Sequence, residues 1–144
     1  MQNRRDFLKT SGTACAAIAG LGFLSTLESC KAPASAAASS YDAASNKMTL
    51  PVSSFGSMNK IVVDGPNGDY KIFLMKNSDA DITALQLKCT HRGHDVDMQA
   101  ANLVCPLHGS EFDFSGNVTH GPAASPLKKY PVTVEKGNMV ILLA

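Results

Sequence analysis

The chain has 144 residues and is close to charge-balanced, with 13 lysines and arginines against 12 aspartates and glutamates for a net charge of +1. That balance gives no basic surface for nucleic acid and no strong electrostatic pull toward a membrane. Tryptophan is absent and aromatics make up 6 % of residues, so a small domain with so thin a core would gain stability from a bound cofactor.

The N-terminus has the order of an export signal. Asn3-Arg4-Arg5-Asp6-Phe7-Leu8-Lys9 resembles the twin-arginine signal, and a modest apolar run rich in Ala and Gly follows it to Leu27. Three fates are open beyond that point. Leu27-Glu28-Ser29-Cys30 resembles a lipoprotein box, which would make Cys30 the lipidated first residue. Ala34-Ser35-Ala36 offers a small-residue cleavage site. Left uncut, the run is just long enough to span a bilayer. The expectation is membrane attachment, by lipid or by an N-terminal helix, on the outer face of a bacterial inner membrane or in the periplasm. Cys15 is a bystander. Residues 1–30 are thus a signal or anchor, and residues 31–47, rich in Ala and Ser, are a flexible linker.

Residues 48–144 are expected to form one folded domain. Lys60–Val63 and Tyr70–Met75 flank Asp64-Gly65-Pro66-Asn67-Gly68-Asp69, the pattern of a hairpin. Asp81–Lys88 reads as a strand. Val96–Gln99 and Asn102–Val104 turn at Ala100-Ala101. Glu111–Phe114 and Val118–Thr119 turn at Ser115-Gly116-Asn117, and Lys129–Glu135 pairs with Asn138–Leu143 across Lys136-Gly137. No segment carries a helical period. The expected fold is all-β, a small antiparallel sandwich of about nine or ten short strands.

The chemistry is concentrated between Cys89 and His108. Cys89-Thr90-His91 and Cys105-Pro106-Leu107-His108 each offer one sulfur and one imidazole. Four such donors suit a metal. A zinc site is one reading, although the usual Cys2His2 arrangement puts both cysteines on one arm and both histidines on the other. Mixed arms suit a cluster of two irons, with both cysteines on one iron and both histidines on the other.

The wider pattern decides between them. Cys89-Thr90-His91-x-Gly93 and Cys105-Pro106-x-His108-Gly109-Ser110-x-Phe112-Asp113, followed by Gly121-Pro122 and Pro126-Leu127, resemble the two cluster-binding loops and the proline-rich covering loop of the Rieske family. The resemblance covers most of residues 48–144. It implies a single Rieske-type 2Fe-2S cluster per chain, held by Cys89, His91, Cys105 and His108, with the histidines outward and the cysteines inward. It also implies one-electron transfer with no catalysis by the chain alone. Ser110 stands where high-potential members bond a bridging sulfide. Those members also carry an extra cysteine in each loop, joined as a disulfide, and a tyrosine two residues after the serine. Here those positions hold His94, Leu107 and Phe112, as in Rieske-type ferredoxins.

His94 and His120 read as loop histidines, Arg92 as a solvated charge or a contact for an acidic partner, and Asp113 as a turn brace. The partner implied is a redox protein or a quinone-oxidising complex. A ferredoxin feeding an oxygenase is the alternative. A catalytic oxygenase would need a further 2-His-1-carboxylate iron domain, for which residues 48–144 leave no room.

Overall fold

The computed structural model describes residues 39–143, which form twelve short β-strands and two single 3-10 turns. The signal motif, Cys15, Cys30 and the linker up to residue 38 lie outside the described residues. Among the described residues no helix is long and apolar enough to cross a membrane.

Three four-stranded antiparallel sheets stack into the domain. The first orders β1 (Ser40–Asp42), β2 (Lys47–Pro51), β12 (Asn138–Leu142) and β11 (Val132–Glu135). The second orders β10 (Lys129–Tyr130), β5 (Ile82–Gln86), β4 (Lys71–Lys76) and β3 (Lys60–Asp64). The third orders β6 (Asp97–Met98), β7 (Leu103–Val104), β8 (Glu111–Phe112) and β9 (Val118–His120).

The second sheet is buried on both faces, and this divides the core in two. Successive side chains on a strand point to opposite faces. Ile72 and Leu74 of β4 therefore join Met48, Leu50, Ile82, Ala84, Met139 and Ile141 against the first sheet. Phe73, between them, joins Leu85, Leu87, Leu103 and Phe112 against the third. Each such side chain contributes roughly 1.5–3 kcal/mol when fully buried. Cover on both faces also explains why β5 lacks a clean polar alternation.

The hairpin expected around Gly65-Pro66-Asn67-Gly68 is present, pairing Lys60 with Met75 through to Asp64 with Lys71. Two expectations need correction. The run from Lys129 to Glu135 is not one strand. Pro131 has no N–H to give a ladder, so β10 ends before it in the second sheet and β11 begins after it in the first; the Pro131 carbonyl instead accepts from the Leu142 N–H at 3.0 Å. Strand pairing also begins at Ser40, inside the stretch taken as linker. Asp42 makes that possible by accepting the Ala44 N–H at 3.0 Å and the Ser45 hydroxyl at 2.6 Å, which closes the turn between β1 and β2.

Gly116 shows how tightly the third sheet meets the second. Its φ is +93°, and a Cβ there would sit 2.9 Å from the Leu85 side chain. Gly116→Ala is expected to cost about 1–3 kcal/mol in chemical unfolding. An unchanged midpoint would show that the turn relaxes freely.

Candidate metal centre

Two loops leave the third sheet at the same end, and they are built on one frame. In the first, the Cys89 N–H donates to the His94 carbonyl at 2.7 Å and the Gly93 N–H donates to the Cys89 carbonyl at 2.7 Å. In the second, the Cys105 N–H donates to the Ser110 carbonyl at 2.8 Å and the Gly109 N–H donates to the Cys105 carbonyl at 3.0 Å. The glycine in each sits in the left-handed region, at +71° and +74°, which a side chain would resist. Both loops therefore reverse tightly around their cysteine.

The frame puts the sulfurs inside and the imidazoles outside. Cys89 and Cys105 are 2 % and 1 % exposed and belong to the second core. Both thiols are free. His91 is half-buried and His108 is exposed. Their rings stand edge to face with centroids 4.9 Å apart. His91 Nδ1 is buried and has no hydrogen-bond partner. Such an orphan costs free energy unless something fills its place.

The protonation states lean toward metal donors. Burial pushes the Cys89 thiol up, but the His91 backbone N–H, the Cys105 and Ser110 side chains and the Arg92 backbone N–H outweigh it and hold the thiol below its ordinary value. The thiolate is the form that binds metal. His108 is held below its ordinary value, first by the loss of water on the side facing the loops and then by the charges of His91, Arg92 and His94. The neutral imidazole is the form that can ligate.

A 2Fe-2S cluster needs only two protein donors per iron, and the two thiols, the His91–His108 pair and the orphaned Nδ1 fit that demand.

The surroundings are ordered by hydroxyl groups. Ser110, fully buried, accepts the Ala123 N–H on its Oγ at 3.0 Å. Thr90 donates its hydroxyl to the Ser125 carbonyl at 2.6 Å. The segment holding Gly121, Pro122 and Pro126 is thereby tied to both loops. The role of Thr90 is invisible in the sequence, because its partner lies far along the chain; a hydroxyl residue beside a candidate ligand was the only signal. Phe112 is fully buried in the second core. His94 lies 6.4 Å from the His108 ring, centroid to centroid. His120 ends β9 and is exposed. Asp113 braces its turn, accepting the N–H groups of Ser115 and Asn117 at 2.9 and 2.8 Å.

The family model described as the Rieske 2Fe-2S domain matches residues 50–131. The cytochrome b6-f complex iron-sulfur subunit of Chlorobaculum tepidum is 36 % identical over 90 residues, which are 56 % of this chain and 50 % of that protein. The subunit from Prochlorococcus marinus strain MIT 9515 is 37 % identical over 84 residues, 56 % of this chain and 47 % of that one. The chain thus spans about half the length of these curated relatives. Among solved structures, the plasma membrane Rieske protein PetC3 from Synechocystis PCC 6803 aligns with a TM-score of 0.52 at 28 % identity, over 63 % of this chain and 93 % of that one. The ferredoxin of carbazole 1,9a-dioxygenase from Nocardioides aromaticivorans IC177 aligns with a TM-score of 0.50 at 20 % identity, over 67 % of this chain and 95 % of its own, a likeness of fold alone.

Proposed function

The chain belongs to the Rieske 2Fe-2S family, and from that premise we propose that Cys89 and Cys105 hold one iron of its cluster and His91 and His108 the other. The observation that carries this is the pairing of two buried thiols with two facing imidazoles, one of which has a buried, unpartnered Nδ1. A bound cluster supplies reversible one-electron storage; the chain's own residues set who can reach it and at what potential. Burial of Cys89 and Cys105 keeps solvent from the sulfurs. Exposure of His108 leaves an imidazole edge where an electron can leave or arrive.

In the cell, this chain serves as an exported, membrane-tethered electron-transfer subunit of a respiratory or periplasmic oxidoreductase system. Support comes from the twin-arginine-like segment in residues 1–30 and from relatives named as cytochrome b6-f iron-sulfur subunits. A second reading, a Rieske-type ferredoxin feeding an oxygenase, draws on His94 and Leu107 standing where a bracing disulfide would be. Phe112 adds to it, having no hydroxyl to offer the cluster.

Electron paramagnetic resonance of the dithionite-reduced full chain, followed by titration of the same signal, tests this. A rhombic signal with average g below that of all-cysteine clusters is expected. Its potential should fall in the lower part of the roughly −150 to +300 mV Rieske range. Zinc in place of iron in matured protein would sink the electron-transfer reading. A strongly positive potential would sink the ferredoxin-like assignment of the loops.

A further inference from the structure

We propose that Arg92 and Leu107 form a docking surface for a redox partner whose electron-exchange face is acidic, with Arg92 selecting the charge and Leu107 supplying apolar contact. This rests on the ligand reading above and deepens it. Arg92 directly follows His91 and Leu107 directly precedes His108, so each candidate imidazole carries one of them as its neighbour. Both are exposed, Leu107 at 52 %; a single exposed leucine is ordinary on a protein surface, and it is its place beside His108 that gives it weight.

No carboxylate side chain among the described residues compensates the charge of Arg92. Among the described residues it makes neither a salt bridge nor a side-chain hydrogen bond; the ion pairs are Lys76–Asp79 and Lys88–Asp95. The acid of the same loop, Asp95, is already held by Lys88 at 2.7 Å. His94, next along the loop, is exposed and carries no negative charge to offset it. The chain's net charge is only +1, so a preference for anions at this end would be local rather than global. An uncharged occupant such as a quinol ring would gain a hydrogen bond but no long-range attraction from a free guanidinium. A carboxylate-bearing protein surface would be steered to it and oriented by it.

The test measures how closely two redox-inert, paramagnetic complexes of opposite charge approach the reduced cluster. Hexacyanochromate(III) and hexaamminechromium(III) are each added to the reduced full-chain holoprotein. The microwave power that half-saturates the cluster's resonance signal is then read, since a nearby chromium speeds spin relaxation. The reduced cluster, with two thiolate ligands, carries net negative charge in every variant, so the quantity compared is the ratio of relaxation by the anion to relaxation by the cation. Losing one charge beside a trivalent probe should reduce that ratio about fivefold at low ionic strength in Arg92→Gln. Arg92→Lys should keep most of it, and Lys136→Gln, on the turn between β11 and β12, should keep all of it. A ratio unchanged in Arg92→Gln overturns the proposal and leaves the tip to an uncharged partner. Absence of any cluster signal in matured protein is a different result and overturns the Rieske reading together with this one.

Discussion

Replacing Cys105 by alanine is expected to abolish the Rieske resonance signal and to loosen one part of the domain far more than the other. The asymmetry follows from how the two cores are built. The first core lies between two sheets whose central ladders, β2–β12, β11–β12, β3–β4 and β4–β5, run four or five residues, such as Asn138–Leu142 against Lys47–Pro51. The third sheet has ladders of only two residues between β6 and β7 and between β7 and β8. Its strands contribute few backbone bonds, so its order depends on the second core, and both cysteines belong to that core. A metal-site free energy in proteins can reach about 10 kcal/mol, and here it is delivered to the least self-sufficient sheet.

Amide hydrogen exchange should therefore rise at least about tenfold in residues 89–127 of the variant, while β2, β4 and β12 stay protected, since local opening tracks local stabilisation. A variant that keeps a rhombic signal would show that some donor other than Cys105 holds the iron. One that loses the signal but keeps exchange uniform would show that the third sheet stands without its cluster.

Much of this fold was legible in the sequence, and the reasons are local. Asp64-Gly65-Pro66-Asn67-Gly68 marks its hairpin because glycine and proline punctuate strands through their own backbone chemistry. The two ligand arms stand out because thiols and imidazoles recur at short spacing. What escaped was decided by tertiary partners. Nothing local to Lys129–Glu135 says that its halves belong to different sheets, although Pro131 is the residue that parts them. Phe114 is a turn-flanking aromatic in the sequence; in the fold its ring stacks on Phe73 at 5.4 Å, with Lys60 Nζ 3.9 Å from its centroid. Ser110 could be matched to a family position, yet its hold on Ala123 could not be foreseen, because that bond exists only once the loop of Gly121 and Pro122 folds back.

That bond makes Ser110→Ala the variant with the second-largest expected effect, and it should show in two separate measurements. The hydroxyl is fully buried and accepts the Ala123 N–H at 3.0 Å. Without it that N–H is left unpaired where water does not reach, at a cost of about 1–3 kcal/mol in unfolding free energy. The same side chain is among the groups that hold the Cys89 thiol below its ordinary value. With its oxygen accepting from Ala123, the hydroxyl proton is free to point at sulfur. A donor to a ligand sulfur stabilises the more negative, reduced state, so its loss should lower the reduction potential.

If that bond is stronger in the reduced state by about 1.4 kcal/mol, the fall is about 59 mV for one electron. Ser115→Ala, at an exposed turn position, should move neither quantity. A fall in stability with the potential unchanged would make Ser110 a brace for the covering loop and nothing more. A fall in potential with stability unchanged would place the hydroxyl's whole effect on the sulfur and leave the Ala123 N–H satisfied by another acceptor. Both together are the expected result, because the Ser110 oxygen is taken by the Ala123 N–H and its proton is left for the sulfur.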